Sequence, residues 1–135
     1  MSTVVPVMKA LIVKDSKFLI VKDLNDNKWE LPGGKVDYNE DPNLTLKREI
    51  KEELGVDVEI KEFVGMCYLI LEDEKRESVI NVFRCNPSSY NFNLEKNPAD
   101  EDLGELKFVS KEEFLSSDYD VYHISLKELI KKISF

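Results

Sequence analysis

An α/β fold with helices packed on a mixed β-sheet is what this sequence predicts, and three observations predict it. Stretches rich in β-branched and aromatic residues, such as VMKALIV, KFLIVKD and VDVEIKEFVGMCYLIL, read as strands. Between them, residues 42–54 place apolar side chains at helical spacing between an Asp-Pro start and a Gly stop. Two more helical segments close the chain, each opening with a serine followed three residues later by a glutamate. At 135 residues the chain suits a single domain over residues 1–135, with no internal repeat, low-complexity tract or linker.

The elements follow in order. VMKALIVKDSKFLIVKD reads as a hairpin of two strands around Asp15-Ser16-Lys17. LNDNK is a polar loop, and WELPGG is a short extended segment closed by a proline and two glycines. Asp41 can cap the next helix, whose first position is Pro42, where a missing N–H does no harm. That helix stops at Gly55, a residue suited to the left-handed cap. VDVEIKEFVGMCYLIL and ESVINVFRC flank the charged turn EDEKR and form a second hairpin with long arms. A loop from Asn86 to Gly104 follows, of a length that is often functional, and ELKFV is a further strand. The capping boxes pair Ser110 with Glu113 and Ser125 with Glu128. In the last helix Leu126, Leu129, Ile130 and Ile133 make one apolar stripe.

Composition narrows the functional classes. Apolar residues at 42% and charged residues at 34% are the balance of an ordinary globular protein. Lys and Asp interrupt every hydrophobic stretch, so no membrane span is expected, and MSTVVPVMKA lacks the pattern of a secretory signal. A cytoplasmic location is the expectation. Cys67 and Cys85 lie in strand-like runs without metal-type spacing and read as buried reduced thiols. The net charge of −8, from 27 acidic against 19 basic residues, leaves no positive stripe for a nucleic-acid polymer. A polyanionic small ligand would need a local reversal of sign, which a bound divalent cation supplies.

The 42–54 helix carries the chemistry. Leu46, Ile50 and Leu54 fall in one narrow arc, and Glu49, Glu52 and Glu53 crowd a neighbouring one. Like charges at i, i+4, and anions in the last turn of a helix, make this arrangement unfavourable by about 1–2 kcal/mol. Local rules broken without visible compensation are expected at functional sites. Mg²⁺ or Mn²⁺, hard cations that seek oxygen ligands, would reverse the balance.

From Gly34 the chain reads glycine, five residues, Glu40, seven residues, then Arg48-Glu49-Ile50-Lys51-Glu52-Glu53-Leu54-Gly55-Val56. With the preceding WELPG, this resembles the Nudix box, G-x(5)-E-x(7)-R-E-U-x-E-E-x-G-U, where U is a bulky aliphatic residue, at every fixed position. Asn39 stands where many family members have glycine, and asparagine tolerates the positive φ such a turn can need. The resemblance implies an α/β/α sandwich and hydrolysis of a nucleoside diphosphate linked to another group X, with Mg²⁺ or Mn²⁺ as cofactor.

It further implies that Glu49, Glu52, Glu53 and the backbone carbonyl of Gly33 hold the metal, with Gly34, Glu40 and Gly55 as motif positions. Arg48 would hold the cluster in register by pairing with Glu52 or Glu40. Lys35 could touch phosphate. The general base is a box glutamate or a carboxylate of the NPADEDLGE loop, of which Glu101 is the choice. His123, the only histidine, reads as incidental. A base-stacking residue is sought among Trp29, Tyr38, Tyr68, Phe83, Tyr90 and Phe92.

The chain looks more like the compact nucleoside triphosphate pyrophosphatases, including those acting on oxidised nucleotides, than like ADP-ribose hydrolases, since no proline occurs between Asp57 and Asn86. Hydrolysis of ADP-ribose or of dinucleoside polyphosphates, and a non-catalytic nucleotide-sensing module, are the alternatives. The partner is then a small nucleotide derivative, and exposed hairpin edges could pair in a homodimer.

Overall fold

The computed structural model describes residues 2–92 and 103–135. Its strands form two sheets. The first joins β1 (Thr3–Leu11), β5 (Gly33–Lys35), β6 (Val58–Leu71) and β7 (Arg76–Pro87) in the order β5-β1-β7-β6. It is mixed: β1 runs parallel to β7, with Val7 opposite Ile80, while β5 and β6 are antiparallel to their neighbours. The second sheet is antiparallel and built on β3 (Lys17–Asp23). There β8 (Leu103–Val109) pairs along one edge, and β2 (Val13–Lys14) and β4 (Lys28–Glu30) share the other. Among the described residues three helices accompany the sheets, α1 (Pro42–Leu54), α2 (Lys111–Phe114) and α3 (Ile124–Lys132). The α/β class with a mixed sheet holds.

The first hairpin is shorter than its sequence suggests. Asp15 and Ser16, at φ 53° and 64°, make the tight turn, but only β2 and β3 flank it. β1 leaves this sheet and inserts between β5 and β7. Residues 7–12 are buried on both faces, so β1 needs strands on both edges and cover above and below. The second hairpin forms as read: β6 and β7 pair from Val58↔Pro87 to Leu71↔Arg76 around a 3₁₀ turn at Glu72–Glu74.

Alternation along β1 divides the core. Met8, Ala10 and Ile12 face one cluster with Leu46, Ile50 and Leu54 of α1, all three fully buried. Burying that stripe contributes roughly 5–9 kcal/mol at about 1.5–3 kcal/mol per side chain. Leu11 faces the other cluster, with Cys67, Val82, Phe114 and Ile130. Helices therefore cover the mixed sheet from opposite sides. Both cysteines are free and buried, and burial pushes their thiols up, to about 11 for Cys67 and about 12 for Cys85.

Helix ends follow local chemistry in two cases of three. The Asp41 carboxylate accepts the Asn43 N–H at 2.8 Å, and α1 ends at Gly55 with φ 74°. Ser110 accepts the Glu113 N–H at 3.2 Å and starts α2. The third expectation is corrected: α3 is capped by His123, whose Nδ1 accepts the Ser125 N–H at 3.1 Å. Ser125 is drawn elsewhere. Its hydroxyl accepts from the Tyr68 N–H (2.9 Å) and donates to the Tyr68 carbonyl (2.7 Å). Because β6 is an edge strand, those backbone groups face no neighbouring strand, and a buried hydroxyl satisfies both. No described helix is long and apolar enough to cross a membrane.

Candidate active site

The acidic face of α1 passes beside β5, where two glycines remove the side chains that would block it. The Glu53 carboxylate is 5% exposed and accepts the Gly33 N–H at 3.1 Å. The Glu49 carboxyl lies directly on Gly34, where a Cβ would stand 2.4–2.7 Å from its carbon and oxygens. Gly33 adopts φ 138°, and a Cβ there would meet the Met8 carbonyl at 2.1 Å, so only glycine fits. Asn39 accepts the left-handed turn at φ 65°.

Arg48 ties this face to the preceding loop. Its Nε and Nη2 donate to the two Glu40 oxygens at 2.8 and 3.1 Å, a bidentate pair. Nη1 donates to Glu49 (3.1 Å) and to Glu52 (3.2 Å), and Nη2 also reaches Asp37 at 3.3 Å. Both pairings considered from sequence, with Glu40 and with Glu52, are present. The Thr45 hydroxyl donates to Glu40 at 2.7 Å. Hydrogen bonds from Arg48 and Thr45 hold the Glu40 carboxyl down at about 2, and the same pairing keeps the Arg48 guanidinium charged.

Electrostatics separate the three helix glutamates. Burial pushes the Glu53 carboxyl up to about 8, against the opposing pull of Lys9 and the Gly33 N–H. Burial also raises Glu49, with Arg48 pulling the other way. Glu52 is turned onto Arg48 and away from the interior.

Glu49, Glu53, Gly33 and Gly34 line a cavity of about 450 Å³, within the range of small-molecule sites. Trp29, Tyr68, Tyr122 and His123 line it as well. The His123 ring packs on Tyr68 with centroids 4.6 Å apart, and the Tyr122 hydroxyl donates to Asp23 (2.7 Å) and Asp26 (2.9 Å). Of the six aromatic candidates, only Trp29 and Tyr68 reach this cavity; Tyr38 is fully exposed. Lys35 is on its wall. Glu101 lies outside the described residues.

Three further residues, His123, Arg76 and Lys9, line the cavity without a role assigned from sequence. His123 reads as incidental there because nothing local marks it, and its place at a helix cap facing Tyr68 is a tertiary fact. Arg76 opens β7 and lines the cavity with a buried Nε that has no hydrogen-bond partner among the described residues. Lys9 left a readable sign: it is a charge within VMKALIV, a run too apolar to carry one without a reason.

The buried Glu53 carboxylate, the half-buried Glu49 carboxylate and the Gly33 carbonyl are oxygen donors of the kind Mg²⁺ or Mn²⁺ takes. Such cations usually take one or two protein carboxylates and complete their shell with water and phosphate. Among the described residues no three acidic, histidine or cysteine side chains are grouped to hold a metal ion, and Glu52, expected as a ligand, is instead paired with Arg48.

A family model for the NUDIX domain matches residues 5–130. A MutT-like protein from Streptomyces ambofaciens is 34% identical over 84 residues, covering 62% of this chain and 52% of that protein. An 8-oxo-dGTP diphosphatase from Proteus vulgaris is 57% identical over 30 residues, or 22% of this chain and 27% of that protein. The chain thus matches about half or less of the length of these relatives. The crystal structure of a MutT protein from Methanosarcina mazei Go1 superposes with a TM-score of 0.81 at 21% identity, covering 97% of this chain and 93% of that one, a likeness of fold. The chain belongs to the NUDIX domain family.

Proposed function

We propose that this protein is a divalent-cation-dependent pyrophosphohydrolase acting on a nucleoside diphosphate linked to X. The favoured substrate is a nucleoside or deoxynucleoside triphosphate, oxidised ones included, cleaved to the monophosphate and pyrophosphate. One observation carries the reading: buried Glu53 and half-buried Glu49 stand against Gly33 and Gly34 in a cavity that Trp29, Tyr68 and Tyr122 also line. Carboxylates and aromatic rings in one cavity suit a ligand that carries both a polyphosphate and a flat ring. The name of the Proteus vulgaris relative supports an oxidised guanine nucleotide within that class.

Glu49, Glu53 and the Gly33 carbonyl would hold Mg²⁺ or Mn²⁺, with Glu52 joining by release from Arg48. The cation would neutralise the diphosphate and stabilise the charge that develops on the leaving oxygens. Arg48 keeps Glu49 and Glu40 in register, so the carboxylates are placed before substrate arrives. Water adds to phosphorus, the anhydride P–O bond breaks, and the proton of the attacking water passes to a carboxylate, for which Glu101 is proposed. Lys35 on the cavity wall offers a positive charge to a phosphate.

A nucleotide panel with Mg²⁺, scored for product identity, tests the assignment. Monophosphate and pyrophosphate from a triphosphate support it. Faster cleavage of ADP-ribose or a dinucleoside polyphosphate would move the assignment to those substrates. Nucleotide binding without turnover at any cation concentration would make the protein a sensing module.

A further inference from the structure

Lys9 is the charged residue that the mixed sheet has least reason to contain. Residues 7–11 of β1 are buried throughout, and Lys9 itself is 9% exposed. Alternation gives it the same face as Val7 and Leu11. An ammonium in such a place is retained only when partners offset its lost hydration.

Its partners come from two other elements. Lys9 Nζ donates to Glu30 of β4 at 3.1 Å and to the Gly33 carbonyl of β5 at 3.3 Å. Gly33 makes the second contact feasible, since a Cβ there would stand 3.0 Å from Lys9 Cδ. The charged groups facing the ammonium are Glu30, Glu53 and Glu49; burial alone would lower its pKa, and these carboxylates together raise it. Lys9 and the carboxylates also line the same cavity.

The Gly33 carbonyl is the oxygen assigned above to the divalent cation, so one acceptor has two claimants. We infer that Lys9 is a positioning residue: its ammonium, ion-paired with Glu30, occupies the Gly33 carbonyl, and a divalent cation binds by displacing it from Gly33 so that Glu30 alone holds the ammonium. Lys9 thereby keeps the Gly33 carbonyl satisfied while no cation is bound and sets how tightly the site takes the cation. This inference rests on the cation site proposed above.

The test is Mn²⁺ affinity of the whole chain without nucleotide, read by electron paramagnetic resonance of free Mn²⁺, with melting curves in EDTA to confirm folding. Lys9→Met is expected to tighten Mn²⁺ binding at least tenfold. Lys35→Met removes the same charge from the cavity wall without touching Gly33 and is expected to change affinity less than twofold. Glu30→Gln leaves Lys9 nowhere to retreat and is expected to weaken binding at least threefold, an effect that should vanish in the Lys9→Met background. Unchanged or weaker binding by folded Lys9→Met overturns the role of Lys9, as does equal tightening by Lys35→Met. If Lys9→Met does not fold, unchanged affinity in Glu30→Gln overturns it instead. Absence of Mn²⁺ binding by the wild-type chain overturns the cation site itself, and this inference with it.

Discussion

Replacing Glu53 with Gln should abolish turnover and, at the same time, make the cation-free protein more stable. The folded chain holds this carboxyl up at about 8 from an ordinary 4.5, chiefly through burial. A raised carboxyl pKa means that the folded state keeps a proton the unfolded chain releases. Stability is therefore lost as pH rises from about 4.5 to about 8. At pH 7 the linkage relation puts this loss at about 3 kcal/mol, and at pH 5 at about 1 kcal/mol. Gln resembles the protonated acid, can still accept the Gly33 N–H, and carries no such penalty. Allowing for the weakened attraction to Lys9, the expected gain at pH 7 is about 1–3 kcal/mol, or roughly 3–10 °C in melting temperature. Calorimetry in EDTA at pH 5 and pH 7, beside a nucleotide hydrolysis assay with Mg²⁺, measures both effects. A variant that melts lower than wild type at pH 7, or gains equally at both pH values, would refute the electrostatic reasoning. Retained hydrolysis would refute the assigned site.

Other perturbations probe the supports. Gly34→Ala places a Cβ against the Glu49 carboxyl and should weaken Mn²⁺ binding at least tenfold, with a small change in melting temperature. Arg48→Met leaves Glu40, Glu49 and Glu52 without their shared donor, and kcat/KM should fall about 10–100-fold. The Glu40–Arg48 contribution to stability is present above pH 4.5 and fades towards pH 2, so acid melting curves of this variant and wild type should converge. His123→Ala removes the cap of α3 and should cost about 1 kcal/mol in denaturant unfolding, while His123→Asn should restore most of it.

Much of the site was legible because it is local. The span from Gly34 to Gly55 carries its own instructions: Asp41 and Pro42 start a helix, Gly55 ends it, and i, i+3, i+4 spacing brings Glu49, Glu52 and Glu53 to one side. Arg48 reaches Glu52 across one turn for the same reason. Its bidentate grip on Glu40 depends on how the loop folds back, which spacing alone allows but does not impose.

The less legible parts depend on partners far along the chain. Ser125 has the pattern of a helix cap, yet an unpaired edge at Tyr68 claims its hydroxyl, and His123 takes over the cap. Short-range preference of about 1 kcal/mol is readily overridden when a buried backbone group would otherwise go unsatisfied. The turn at Asp15 and Ser16 was readable, but β1 follows burial into another sheet.

The sequence by itself determined the acidic helix, its caps and the glycines beside it, because helix periodicity and backbone freedom are properties of a few neighbouring residues. Tertiary structure alone decided that Glu53 is buried while Glu52 faces Arg48, that Lys9 lies on the Gly33 carbonyl, and that Tyr68 and His123 line the same cavity as the carboxylates. Desolvation and long-range contact depend on which strands lie side by side, and no local pattern in the chain encodes that choice.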